Sequence, residues 1–536
     1  MEEETKRKAK KEDSRNGFDS FSEDIVEKIL RKLPALSLAS AACVCKSWYH
    51  NSNRILSRPK LASAISLNPS LDIALQEVVD KVLSESIRPH FAIASGFGNK
   101  LGLEKSFDFL AGKFGSRTPL IVTWANGIMG RDAVTNEFRE VMGRDDSSNY
   151  DGDGDGDDEH MEINSGFLLT VGFVPGLKVD VIPYLRKIRP APMEMIDIFV
   201  MDIRNYTTSA SGCTSPVGII MFASEDFDLK PIMEKLDYAM SKETIIVGDE
   251  RTKFLYRSRI DSTNPFAKAI ALVFAKDREK PHGLGEIQFH AALSNGVSAI
   301  GPRYKTASAR EAFHDRNTWL TARQEGQPEI LDGQRILNDI NDELENRIGD
   351  TDLYIGVTEL RKRRIRKEKP RLMSSLSFYG VMGGDEEYLF VHGIGIRTAD
   401  YFQFYHSDPS AALSSCRNVS ANLRNLRLDW SCKKYLYPTD GANEFKKECI
   451  GGFIFSCCGR GEAFFGSPNV DSSPFLENFP GVPLAGIFCG GEIGRSFSIS
   501  NTLDDREEST PSRCLHVFSS VYLVLSYTPS PAPMEQ

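Results

Sequence analysis

Hydrophobic positions near the N-terminus form two runs at helical spacing, Ile25-Val26-Ile29-Leu30-Leu33 and Leu36-Leu38-Ala39-Ala42-Cys43, with Pro34 between them. Proline lacks the N–H that a helix interior needs, so two separate helices joined by a short turn are predicted. A longer stripe follows: Leu71, Ala74, Leu75, Val78, Val79, Val82, Leu83 and Ile87 mark one face of a helix. Short apolar runs then alternate with amphipathic ones. They predict strands at 90–95, 119–125, 167–173, 196–203, 217–223 and 244–248, and helices at 103–114, 177–188 and 228–239. Beyond 265 the pattern leans toward strands, at 267–274, 354–357, 375–381, 388–396, 401–405, 449–457, 484–488 and 514–526. Two helices are predicted there, near 333–348 and 409–426. This alternation predicts an α/β fold, mixed α+β, with a small helical unit ahead of a large two-part sheet-and-helix region.

The division expected from these patterns is a tail at 1–17, a helical unit at 18–60, sheet-and-helix regions at 70–250 and 265–527, and a loose tail at 528–536. No period of 20–50 residues repeats, and the lone Leu423-x-x-Leu426-x-Leu428 reads as a helix end rather than a leucine-rich repeat, which needs stacked copies. The net charge is −9, and residues 145–162 alone hold nine acids and no Lys or Arg. That segment reads as an acidic loop insert. It meets an EF-hand pattern through Asp151, Asp153, Asp155, Gly156 and Glu162, but by repetition of Asp and Gly and without flanking helices. The remainder is neutral, which disfavours general nucleic-acid binding. No apolar stretch reaches the ~18 residues of a membrane span, and residues 1–16 lack the apolar core of a secretory signal. Ten cysteines with no Cys-x-x-Cys pair point to reduced thiols and to the cytoplasm or nucleus. The run Arg361–Arg371, eight bases and one acid, reads either as a nuclear signal or anion patch or as a solvated hairpin crest.

Phe21–Pro34, then Leu38, then Ala42-Cys43-Val44-Cys45-Lys46-Ser47-Trp48 resemble an F-box. The opening departs from the pattern, with Phe21-Ser22 in place of Leu-Pro, whereas the Val-Cys-Lys-x-Trp ending is intact. A unit of about 40 residues cannot bury enough apolar surface to be stable alone, so a partner-facing apolar set is expected. The resemblance implies a Skp-type adaptor as partner and, through it, a cullin–RING ligase. Ile25, Ile29, Leu30, Leu33, Pro34, Leu38, Val44 and Trp48 are the adaptor-binding candidates.

The rest of the chain resembles the FIST family, most clearly through Gly451–Gly461, Pro483–Gly494 and Leu515–Phe518 and more weakly through 90–95, 118–130 and 217–223. That resemblance implies a recognition domain for small ligands such as amino acids, with no established chemistry. Read as residues, Arg460 and Gly461 end one strand and Gly490, Gly491 and Glu492 end another. Arg460 can pair bidentately with a carboxylate and Glu492 can accept from an ammonium, so a ligand site for a zwitterion is expected if both face one cleft. A tight turn carrying a surface Glu–Arg pair is the alternative. No phosphate loop, Gly-x-Ser-x-Gly or His-Glu-x-x-His is present. Nine scattered His show no metal spacing, and Cys457, Cys458 and Cys489 read as structural thiols. The expectation is a non-enzymatic substrate-recognition subunit of a Skp–cullin–F-box ubiquitin ligase, without cofactor or metal. The F-box holds the adaptor and the FIST region holds a protein target. The alternative is an amino-acid-like ligand sensor coupled to ubiquitination.

Overall fold

The computed structural model describes residues 22–98, 102–143, 165–185, 192–259, 266–312, 316–365, 368–432, 447–495, 497 and 511–530. The expected tail 1–17, residues 531–536 of the expected tail 528–536, and the acidic insert with its EF-hand-like pattern lie outside the described residues, whereas Thr528 ends a strand. The N-terminal unit is α1 (Glu23–Leu30), α2 (Ala35–Ala41) and α3 (Lys46–Ile55). The chain continues through β1 (Lys60–Ser66), α4 (Leu71–Leu83), β2 (Phe91–Phe97), α5 (Gly102–Lys113), β3 (Leu120–Trp124), β4 (Gly127–Arg131), β5 (Phe138–Met142), β6 (Gly166–Phe173), β7 (Leu177–Leu185), α6 (Pro192–Ser211), β8 (Gly218–Ala223), α7 (Lys230–Ala239), β9 (Ile245–Asp249), β10 (Lys253–Arg257) and β11 (Ala267–Lys276). Then come β12 (Glu286–Ser294), β13 (Val297–Ala312), β14 (Asn317–Gln324), α8 (Gly333–Glu343), β15 (Leu353–Arg363), β16 (Arg371–Gly384), β17 (Leu389–His392), β18 (Tyr401–Ser407), α9 (Pro409–Cys432), β19 (Glu448–Cys457), α10 (Glu462–Phe465), α11 (Ser473–Asn478), β20 (Leu484–Cys489), β21 (Glu492–Arg495), β22 (Leu515–His516) and β23 (Ser520–Thr528).

The described residues form three open sheets and one closed barrel. The sheet orders are β1-β6-β2-β3-β10, β22-β21-β9-β8-β11-β7 and β12-β23-β19-β20-β4-β5, and the barrel is β13-β14-β17-β16-β15-β18. Each open sheet is built around one parallel pair: β2–β3, β8–β9 or β19–β20. The chain leaving each pair crosses into another sheet. β4 pairs with β20, β21 pairs with β9, and β10 pairs with β3, so the exchange closes in a circle. Two of these crossings share a sequence pattern, Pro119-Leu120…Trp124…Gly127…Gly130-Arg131 and Pro483-Leu484…Phe488…Gly491…Gly494-Arg495. Strands thus cross the expected 250–265 boundary in both directions, and β11 itself pairs with β7 and β8.

The inner faces of the three sheets form a common core, with Phe91 and Ile121 from the first, Val247 and Phe274 from the second, and Phe453 and Leu523 from the third. Helices cover the outer faces. The predicted stripe of α4 buries Leu75, Val78 and Val82 on the first sheet, α6 and α7 cover the second, and α9 and α11 cover the third. The barrel is filled by its own side chains and by Ile336 and Ile340 of α8.

Three expectations about elements are corrected. Residues 177–185 form strand β7, not a helix: Val179 and Val181 alternate inward, and Pro183 is tolerated because β7 is an edge strand. Residues 196–203 lie inside helix α6, whose apolar run is buried along one side and so mimics a strand. Strands β12 to β14 went unpredicted because Ser, Ala, Arg and Lys dilute their β propensity. The fragment Leu423–Leu428 lies within helix α9, as the helix reading expected. The described part of the basic run lies on the β15–β16 hairpin, where two of its bases are paired, Arg361 with Asp400 at 2.6 Å and Arg363 with Glu234, and Ile365 is buried. No helix among the described residues is long and apolar enough to cross a membrane.

Candidate functional site

The N-terminal unit has a small core of Val26, Leu30, Leu38, Ala41 and Ile55, with Leu33 and Trp48 packed half-buried against it. Pro34 stands just before α2, where its missing N–H costs no helical bond, and it turns α2 away from α1. This packing splits the adaptor candidates. Ile25 and Ile29 are 43% and 39% exposed, Val44 is 66% exposed, and Pro34 is exposed as well. Leu30 and Leu38 are each 1% exposed, so they hold the core and present nothing to a partner. Leu36 at 78% and Tyr49 at 53% join the exposed apolar set, although the sequence reading left them out. The unit is tied to the sheet region by a hydrogen bond from Ser86 Oγ to the Arg31 carbonyl (3.2 Å).

Arg460 does not face a ligand cleft. It is fully buried between β19 and α10 and grips Asp471 with two bonds, Nη2 to Oδ1 at 2.7 Å and Nε to Oδ2 at 3.1 Å. Its remaining donors reach the Phe518 carbonyl (2.9 Å) and Ser294 Oγ (3.0 Å). Burial opposes the charge on Arg460, but Asp471 outweighs it and the pKa is raised; burial likewise pushes Asp471 up, but Arg460 holds it below its ordinary value. The expectation that Arg460 and Glu492 share one ligand cleft is therefore corrected: Arg460 is a structural tie.

Glu492 does line a cleft. The cavity of about 230 Å³ lies between the barrel, α7, the β9–β10 turn and the segment leading to β23. Glu492 opens β21 and is fully buried opposite Asp249 and His516. Its Oε2 accepts from Ser519 N–H (3.1 Å) and Ser519 Oγ (3.0 Å), while Oε1 has no hydrogen-bond partner among the described residues. Burial pushes its pKa well above the carboxylate range. Asp249 is also fully buried; Oδ1 accepts from Arg251 N–H (3.0 Å), Oδ2 has no partner among the described residues, and burial pushes the group up to about 7. Cys457 lines the cleft as well. Hydrogen bonding from the Cys457 thiol draws Cys458 down to about 7, whereas Cys457 itself is pushed well up by that bond and by burial.

Gly490 and Gly491 line the cleft, but packing explains them. A Cβ on Gly491 would lie 2.4 Å from Glu250 Cγ, and one on Gly490 would lie 2.8 Å from Arg251 Cβ. The β9–β10 turn rests on these glycines, and Glu250 N–H donates to the Gly491 carbonyl (2.9 Å). Gly461 lies outside the cleft, with Met142 Sδ 2.5 Å from where its Cβ would be. The cations that do line the cleft are Arg251, Arg316 and Lys230. Lys230 is committed to Glu359 and to Tyr379 Oη (2.6 Å), whereas the Arg251 side chain is 51% exposed and touches only its neighbour Glu250, at 3.5 Å, among the ion pairs of the described residues. The sequence signal that could have found Arg251 is the charged turn Asp249-Glu250-Arg251 directly after a buried strand. Arg316 left no such signal. Among the described residues no three of His, Cys, Asp and Glu are grouped to hold a metal ion.

An F-box domain model matches residues 18–56 and a FIST C domain model matches residues 359–495. The chain is 43% identical over 521 residues to the F-box/LRR-repeat protein At5g63520 of Arabidopsis thaliana, covering 95% of this chain and 93% of that protein. Shorter similarity links it to human F-box only protein 22, 48% over 44 residues, or 8% of this chain and 11% of that one. An uncharacterized protein of Mycobacterium tuberculosis matches at 47% over 45 residues, 8% of this chain and 12% of that one. A relative matched nearly end to end, together with an F-box at the N-terminus and a FIST C domain beyond it, shows that the chain belongs to the F-box protein family.

Proposed function

We propose that this F-box protein is the substrate-recognition subunit of a Skp–cullin–F-box ubiquitin ligase acting in the cytoplasm, the nucleus or both. The F-box holds the Skp-type adaptor, and the FIST region, taken as 70–250 with 265–527, captures the target. The subunit makes no covalent bond. It raises the effective concentration of a target lysine near the conjugating enzyme. The observation that carries this reading is the exposed apolar set Ile25, Ile29, Leu36 and Val44 on a unit whose own core is already filled. Co-purification with a Skp-type adaptor tests it. The wild-type chain is expected to retain the adaptor and an Ile29→Glu/Val44→Glu variant to lose it; equal capture by both would refute the assignment.

A second reading, a small-ligand sensor, is favoured by one specific feature: the buried Glu492 Oε1, at the wall of the cleft, has no hydrogen-bond partner among the described residues. Arg251 and Arg316 replace Arg460 as the candidates for a ligand carboxylate. Thermal shift against an amino-acid panel tests this. A ligand at 100 times its Kd stabilises by about 2.7 kcal/mol, and Glu492→Gln is expected to abolish the shift.

A further inference from the structure

The outer face of the barrel carries a charge arrangement that strand pairing disfavours. Lys305 of β13 stands directly opposite Arg323 of β14, with Tyr401 of β18 on its other side. Like charges directly opposite each other destabilise a sheet. Among the described residues neither Lys305 nor Arg323 has a carboxylate within ion-pair range, and the nearby Arg303 reaches Glu325 only at 3.8 Å. Arg303 and Lys305 lie over the Tyr401 ring, 4.5 and 5.3 Å from its centroid. Past a bulge in β13, Arg310 stands opposite Trp319, and Trp319 stands opposite Phe390 of β17. Trp319 is 36% exposed and meets the Phe390 ring edge-on at 5.8 Å.

Side chains alternate along a strand, so Asn317, Trp319, Thr321 and Arg323 share one face of β14 over roughly 20 Å. The near end of this row reaches the cleft, because Arg316 and His392, the latter opposite Asn317, line it. Basic and aromatic groups therefore cluster on one face of a chain whose charge outside residues 145–162 sums to zero. A local cationic face on an otherwise neutral surface suits an acidic polypeptide better than nucleic acid, which needs a broad positive field.

We infer that this face is the docking surface for an acidic, aromatic-containing segment of the target protein, lying along β14 with one end at the cleft. The inference rests on the substrate-receptor reading. Acidic side chains of the segment would neutralise the Lys305–Arg323 pair, and an aromatic side chain would pack on Trp319 and Phe390.

The test is fluorescence anisotropy of a labelled Glu–Tyr random copolymer titrated with the full chain, free and bound to its adaptor, at low and high salt. A labelled poly-dT strand is titrated in parallel. Lys305→Glu is expected to weaken copolymer binding roughly tenfold at low salt while leaving the melting temperature unchanged or higher, since it turns a repulsive cross-strand pair into an attractive one. Those opposite signs separate recognition from folding. Trp319→Ala is expected to weaken binding about threefold, and binding is expected to fall with salt. Copolymer affinity unchanged in Lys305→Glu would overturn the inference, as would poly-dT binding more tightly than the copolymer and being the interaction that Lys305→Glu abolishes. Failure of the receptor reading would show separately, as loss of adaptor capture while the free chain still binds copolymer.

Discussion

Replacing Arg460 tests whether it is a structural tie or a ligand group. Arg460→Met leaves Asp471 buried at 2% exposure with its charge no longer matched, and it leaves the Phe518 carbonyl and Ser294 without their guanidinium donor. Breaking a buried ion pair from one side destabilises by about 3–5 kcal/mol. A domain has only about 5–15 kcal/mol in total, so much of the FIST region's stability is at stake. Arg460→Met/Asp471→Asn removes the stranded charge and keeps an acceptor for Ser456 Oγ, which bonds Asp471 at 2.7 Å. It is expected to recover about 2 kcal/mol of the loss. The assay is equilibrium urea denaturation followed by tryptophan fluorescence. The folded-state pKa of Asp471 is depressed, so its contribution is present above the unfolded value, near 3.8, and is lost as pH falls through the folded value. The wild-type advantage over the double variant is therefore expected to shrink only below about pH 4. An Arg460→Met protein that loses less than about 1 kcal/mol, yet no longer responds to ligand, would refute the structural account and return Arg460 to the site.

In the F-box, Leu30→Ala is expected to destabilise the unit by about 2–5 kcal/mol, while Ile29→Ala leaves the melt unchanged and weakens adaptor binding; calorimetry and adaptor pull-down distinguish the two effects. Glu492 has a raised folded-state pKa, so the folded protein holds its proton more tightly and stability falls as pH rises from near 4.5 toward the folded value. Glu492→Gln should accordingly match wild type at pH 4 and exceed it near neutrality and above, as read from melting temperature against pH. Gly248 has φ +150°, and an added Cβ would sit 1.8 Å from the Met221 carbonyl oxygen, so Gly248→Ala is expected to disrupt the β8–β9 pair and yield insoluble protein. A soluble Gly248→Ala variant with an unchanged melt would show that β9 relaxes freely.

The sequence by itself determined what local pattern can encode. Pro34 between two apolar runs specified separate helices, the α4 stripe specified one buried face, and the Val44–Trp48 ending identified the F-box, because these signals lie within a few turns of chain. It also marked Glu492 as a charge at the end of a buried strand. Only the tertiary structure decided which of those residues face outward. Ile29 and Leu30 are adjacent and equally apolar, yet one is exposed and one is core, because the helix angle set by packing assigns their sides. Arg460 and Glu492 looked alike in their glycine settings, but strand exchange carries β21 into the second sheet and leaves Arg460 beside the third, next to Asp471. The glycines at 490 and 491 announced close approach, and the sequence could not say by what; the β9–β10 turn, some 240 positions earlier in the chain, fills that space. Contacts between distant segments depend on where each crossing strand pairs. No local periodicity records that, so the cleft and its arginines became visible only once the sheets were joined.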